Sequence, residues 1–190
     1  MKEAIELALG LGFTCAAALD PAALTVREEV RAMCEANKCR AYGRNWTCPP
    51  HCGTLEECGA RLTGMADGLL VQTVGRLTDP FDFDTMAGTE RVHLARFYAL
   101  ADLLREKDPE VLCLGSGGCR LCKSCAYPDP CRFPSRACSS MESYGLLVSE
   151  VCRTAGTAYY HGKNTLAYTA CCLFPAKLSL IHISEPTRRT

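Results

Sequence analysis

The sequence predicts an α+β protein in which one small mixed or antiparallel sheet is covered by helices, with cysteine-rich metal-binding loops leaving the element ends. Three observations carry this reading. Four short apolar runs have strand composition, one long segment repeats its apolar residues every 3.6 positions, and the order of these segments is mixed rather than a strict alternation.

The elements follow in chain order. A first strand is expected over Phe13 to Ala18. Thr25 and Glu28 have the spacing of a capping box, in which each side chain satisfies an orphan amide of the other's end of the turn. The helix it opens places Val26, Val30 and Met33 on one face and delivers Cys34 at its C-terminal end. Thr54 and Glu57 repeat the box for a second helix, and Leu69 to Val74 reads as the next strand.

The longest helix is expected from Thr85 or Gly88 to Lys107. Leu94, Phe97, Ala101 and Leu104 form its stripe, and Asp108-Pro109 ends it, since proline lacks the amide that would continue the ladder. Val111 to Leu114 is a third strand. A third box, Ser139 with Glu142, precedes a stripe of Tyr144, Leu147, Val148 and Val151 that Gly156 closes. The last strand is Thr165 to Phe174, with Leu166, Tyr168, Ala170, Cys172 and Phe174 on one face. These stripes are read as core.

Composition narrows the chemistry. Of 190 residues, 21 are Lys or Arg and 21 are Asp or Glu, so no net field draws the chain to nucleic acid or to an anionic membrane. No run of apolar residues is long enough to span a bilayer. Glu3 and Glu6 interrupt the start where a signal peptide would be basic and then apolar, so a cytoplasmic protein is expected. Residues 1–177 are read as a single domain. The tail 178–190, "LSLIHISEPTRRT", resembles through Arg188 the in-frame translation of a sequencing adapter, and it is set aside together with His182.

Fifteen cysteines is the outlying number. The count is odd and the chain is not a secreted miniprotein, so a disulfide framework fits poorly and reduced thiols acting as ligands fit better. The second group, Cys119, Cys122, Cys125 and Cys131, has the form C-x2-C-x2-C-x5-C. Its first three members share the spacing with which ferredoxins wrap a cubane cluster, each short turn aiming a sulfur at a neighbouring iron. The longer last gap leaves Cys131 either completing that cluster or serving the other group. Gly115, Gly117 and Gly118 permit the crowded backbone before it, and Pro128 and Pro130 stiffen the return.

The first group holds Cys34, Cys39, Cys48, Cys52 and Cys58, with gaps of four, eight, three and five residues. Five candidates for four positions leave one spare. Cys52 is taken as that spare because Cys34, Cys39, Cys48 and Cys58 already span the loop between two helices. His51, beside a Pro-Pro turn, is read as exposed rather than as a ligand. Cys15, Cys113, Cys138, Cys152, Cys171 and Cys172 fall on strands, helix ends or core faces and are read as small apolar filler. Arg44, Trp46 and His161 are read as structural residues of their loops.

The stretches "CRAYGRNWTCPPHCGTLEEC", "GGCRLCKSCAYPDPCRFP" with "SSMESYG" behind it, and "YYHGKNTLAYT" resemble the cysteine-rich family called domain of unknown function 2284. Its members are described as predicted metal-binding proteins of anaerobic bacteria and methanogenic archaea. The resemblance runs to Phe174 and implies metal binding in an anaerobic setting without supplying a reaction. Its pattern favours as ligands the eight cysteines 34, 39, 48, 58, 119, 122, 125 and 131.

Other chemistries lack their signatures. Cys48-x3-Cys52 is not followed by the two-residue gap of a radical-SAM site, no Gly-Lys-Ser/Thr follows the glycines at 115–118, and no H-E-x-x-H occurs. The expectation is therefore an electron carrier or accessory protein rather than an autonomous catalyst. It would hold two four-cysteine sites of the [4Fe-4S] type and pass electrons to a redox partner protein. Structural zinc is the alternative, and a dithiol pair, Cys119 with Cys122 or Cys122 with Cys125, a third.

Overall fold

The computed structural model describes residues 1–176, so the adapter-like tail at 178–190 lies outside the described residues. Within them the chain runs α1 (Lys2–Gly10), β1 (Cys15–Leu19), α2 (Glu28–Glu35), α3 (Leu55–Thr63), β2 (Met65–Arg76), α4 (Phe83–Lys107), β3 (Leu112–Gly115), β4 (Ser139–Ser140), α5 (Val148–Thr154) and β5 (Thr165–Pro175). The sheet order is β1-β2-β5-β3-β4. All pairings are antiparallel except the short parallel one between β3 and β4, so the α+β class expected from sequence is the class found.

The sheet is buried on both faces, which is why it anchors the loops rigidly. Leu69 and Val71 of β2 and Ala170 and Cys172 of β5 pack with Ala8 of α1 and with Phe97, Leu100, Ala101 and Leu104 of α4. The alternate residues, Leu70, Cys171 and Leu173, pack on the other side with Cys58 and Leu62 of α3, Tyr144, and Val151 and Cys152 of α5. The single apolar face expected for β5 is thus half of its contribution. Residues between the expected core positions are covered as well, because helices flank both sides. A side chain such as Phe97, fully withdrawn from water, contributes about 1.5 to 3 kcal/mol by burial.

Helix starts show which sequence signals prevail. The Thr54–Glu57 box forms: Glu57 N donates to Thr54 Oγ1 at 3.1 Å and Thr54 N to Glu57 Oε2 at 2.8 Å. The Thr25–Glu28 box does not. Arg27 is the N-cap of α2; its amide donates to the Gly145 carbonyl at 2.8 Å and its guanidinium grips Glu150 of α5 through bonds of 2.8 and 2.7 Å. Ser139 is claimed by the sheet, where it faces Leu114, and Ser140 makes the local bonds to Ser143 instead. Leu146 rather than Leu147 enters the core; Leu147 is the exposed N-cap of α5. The turn at 142–144 ends on Gly145 at φ 73°, where an added Cβ would lie 2.6 Å from Leu55. Only glycine closes this turn without strain.

Candidate metal centre

Two loops carry the clustered cysteines to one edge of the fold. The first runs from α2 to α3, and the second is an excursion that leaves β3 at Gly115 and returns at β4, the strand beside it. Both are irregular, with Asn37, Arg40, Gly43, Gly53 and Gly117 at positive φ. The Asn37 side chain accepts from Tyr42 N at 3.1 Å, which suits asparagine to that left-handed position.

The loops are fastened to each other by contacts that need no metal. Trp46 Nε1 donates to the Asp129 carbonyl at 2.9 Å, and its ring meets Tyr127 edge-on at 5.1 Å between centroids. His51 lies against the same Tyr127 at 4.4 Å, so it is half-buried in a three-ring cluster rather than exposed as the Pro-Pro turn suggested. Cys119 N donates to Thr47 Oγ1 at 3.4 Å, and a Cβ on Gly118 would stand 3.6 Å from Cys48 Sγ.

Helix α4 holds the second loop at both ends. Tyr98 Oη donates to Cys119 Sγ at 3.6 Å and accepts from Arg120 N at 3.2 Å. Burial pushes the Tyr98 phenol up, which keeps the hydroxyl a donor. On the return, Arg136 makes a two-pronged bond to Asp102 at 2.9 and 2.6 Å. No sequence pattern pointed to Tyr98, which sits beside the apolar stripe of α4.

The consequence is a shared cavity of about 380 Å³ whose wall includes Cys34, Cys39 and Cys48 from the first loop and Cys119, Cys122 and Cys125 from the second. On its far side the last three meet Cys131 around a small enclosed space of about 20 Å³. Cys52 and Cys58 stand behind the wall, both buried. Cys58 is fully buried on the core face of α3, among Leu62, Leu114 and Met141. Among the described residues no three Cys, His, Asp or Glu side chains converge closely enough on one point to hold a single ion. The cavity's sulfurs are spread around a volume instead.

Electrostatics divides the first group. Burial pushes the Cys48 thiol up to about 11, with nearby thiols adding to it, and burial raises Cys34 as well, with the Glu142 carboxylate and then Cys39 adding to it. Cys52 moves the other way, well below the ordinary thiol range, through a hydrogen bond with the Cys58 side chain and the positive charge of Arg31; Cys58 is correspondingly raised. Of the filler cysteines, Cys113, Cys138, Cys152, Cys171 and Cys172 are buried in the two cores and Cys15 is half-buried on edge strand β1, as expected. Trp46 packs, and the exposed His161 accompanies Gln72 Oε1 at 3.3 Å, both structural placements. Arg44 is exposed on its loop. A cleft of about 460 Å³ between α1 and the end of α4 contains no thiol. No helix among the described residues is long and apolar enough to cross a membrane.

The fold and the sulfur-lined cavity define a cysteine-rich α+β protein that collects soft donors at one edge of its sheet. The model of a family described as predicted metal-binding protein (DUF2284) matches residues 17–174, and the chain belongs to that family. No curated protein and no solved structure matches it.

Proposed function

We propose that the protein is an iron–sulfur electron carrier with two neighbouring [4Fe-4S] sites opening on the shared cavity. The observation that carries this is the ring of six thiols from two loops around about 380 Å³. A structural zinc ion draws four sulfurs to about 2.3 Å from one point and closes the space between them. A cubane instead spreads its ligands around a body of iron and sulfide, each sulfur meeting its own iron. The donor set fits either group chemically; the open volume favours the cluster.

Cys119, Cys122, Cys125 and Cys131 form one set. Cys34, Cys39 and Cys48 form the other with a fourth thiol, which sequence spacing assigns to Cys58. When bound, such clusters supply one-electron storage at potentials set by their surroundings. The chain's own contribution is to line one cavity with thiols of both sets, bring a hydroxyl from Tyr98 to the Cys119 sulfur, and fasten the two loops through the Trp46, His51 and Tyr127 rings.

The compact side of the second set, where Cys131 meets the other three around about 20 Å³, is what a single tetrahedral zinc would prefer. Zinc in that set is the competing reading. Metal and acid-labile sulfide analysis of protein purified without oxygen separates the two. Iron and sulfide of about eight each per chain are expected for two cubanes; zinc without sulfide overturns the proposal.

The redox partner is a protein with an acidic face, and the exchange takes place in the cytoplasm, where thiols stay reduced. The chain's charges balance, yet Lys38, Arg40, Arg44, Arg120, Lys123 and Arg132 are all exposed on the two cysteine loops. Against the exposed Asp129 and the pairing of Arg120 with Glu90 the rim stays net positive, and a rim of this kind steers an oppositely charged protein and raises association rates by roughly 10- to 1,000-fold. Reduction by a small acidic electron donor is therefore expected to slow about tenfold or more between low and high salt, as stopped-flow mixing reads it. Equal rates at both salts would remove the acidic-partner assignment.

A further inference from the structure

Resting on the iron–sulfur reading, we infer that Cys52, not Cys58, supplies the fourth ligand of the first set, and that Arg31 is the buried counter-charge behind it. The starting observation is Arg31 itself. It sits in α2 with 7% of its surface exposed, and among the described residues no carboxylate lies within ion-pair distance of it. Nη1 donates to the Gly53 carbonyl at 2.9 Å, Nη2 to Cys58 Sγ at 3.4 Å, and Nε is buried with no partner. A guanidinium removed from water without an anion is costly, so the site calls for negative charge close by. The group that Arg31 touches and that can carry it is a sulfur, Cys58, with Cys52 beside it; the Glu142 carboxylate, its Oε2 buried without a partner, lies farther off next to Cys34 and outside ion-pair distance.

Geometry decides which sulfur. Cys52 N bonds to Cys48 O at 3.2 Å, a single helical turn that sets the two side chains on the same side. Cys52 Sγ lies 3.6 Å from the Ser143 carbonyl, and Cys34 Sγ lies 3.9 Å from the Glu142 carbonyl. The two sulfurs thus lean on consecutive residues of the turn that walls the cavity. Cys52 stands on the loop itself, one helical turn from the cavity-lining Cys48 and against the Ser143 carbonyl of the wall. Cys58 would have to leave the core face of α3, where it is fully buried.

Cys58 then has a different task. It receives Arg31 Nη2 and donates to the Cys52 carbonyl at 3.8 Å, holding the guanidinium next to the ligand rather than binding metal itself. A fixed positive charge beside a cluster stabilises the reduced, more negative state over the oxidised one and so raises its potential.

Four variants test this. Cys52→Ala is expected to lose half of the metal per chain, whichever metal the protein carries, while Cys58→Ala keeps all of it. Metal retained at the second set reports that the Cys52→Ala fold persists. Arg31→Gln should keep wild-type iron and sulfide but shift the midpoint potential of one cluster downward, and Arg31→Lys should restore most of the shift. Full metal in Cys52→Ala with loss in Cys58→Ala overturns the ligand assignment, and an unmoved potential in Arg31→Gln overturns the counter-charge. Zinc without sulfide in the wild type would instead remove the cluster reading, leaving the ligand comparison to be read from zinc content.

Discussion

Cys122→Ser is expected to empty the second thiol set and to disorder residues 116–137 while the sheet and α4 remain folded. Cys122, like Cys119 and Cys125, borders both the shared cavity and the small space around Cys131, and a four-thiol set that loses one member keeps only three sulfurs. A serine hydroxyl holds its proton at neutral pH and is a poor ligand for a soft metal, where the thiol is a good one. Between Cys119 and Cys131 a single backbone–backbone hydrogen bond, Asp129 N to Ala126 O, orders the chain from within. A structureless loop of this length is uncommon in a compact domain unless something external fixes it. Metal binding is of sufficient size: structural zinc contributes roughly 10 to 16 kcal/mol, comparable with the about 5 to 15 kcal/mol of a whole domain's stability.

Two measurements check this expectation. Metal content should fall by at least half, and limited proteolysis should cut within 116–137 at least about tenfold faster. The cooperative thermal transition of the core should survive, since the apolar clusters on both faces of β2 and β5 draw nothing from the segment between Cys119 and Ala137. Losses should also spread to the first set. Its loop is propped on the second through Trp46, Tyr127 and the Asp129 carbonyl, so a disordered partner removes that support. Wild-type metal content in the variant would show that Cys122 is not a ligand.

The long helix was legible in the sequence because packing on one side imposes a 3.6-residue period that Phe97–Leu104 displays, and β2 because Leu69–Val71, buried on both faces, forms an unbroken apolar run. Helix α1 was not read, since only Ala8 is fully buried and nine residues carry little pattern. The capping boxes show the limit of local signals. Thr54–Glu57 had no competitor, while Ser139 was taken by a strand partner twenty-five residues away, Leu114. The cysteine groups were visible from spacing, but their meeting at one cavity was not. That encounter runs through Trp46, Thr47, Tyr98 and Tyr127, single residues with no periodicity to announce them. The choice between Cys52 and Cys58 was also hidden, because spacing along a chain does not record which thiol faces the core.

Acid is expected to unfold this protein by charging His93, with the loss falling between pH 6.5 and about 4. His93 is fully buried on α4, between the rings of Phe13, Phe97 and Tyr168, and Nδ1 bonds with Thr73 Oγ1 at 3.1 Å. Nε2 is buried with no partner. Desolvation, with the positive charge of Arg96 adding to it, holds the imidazole down to about 4, against 6.5 for an unperturbed ring. The unfolded chain therefore binds the proton over this window and the folded one does not. Stability is complete above pH 6.5 and declines by about 1.4 kcal/mol per pH unit below it, toward a total on the order of 3 kcal/mol near pH 4. A group with a raised pKa would give the opposite slope. His93→Gln cannot charge, so urea midpoints of the variant should be flatter across this window by that amount, although its stability at pH 8 is lower through the altered packing. The metal ligands lose their hold in acid in both proteins alike, and the difference between the two profiles isolates the imidazole. Parallel profiles for the two proteins would mean that His93 stays neutral in the unfolded chain as well, or is reached by water in the folded one.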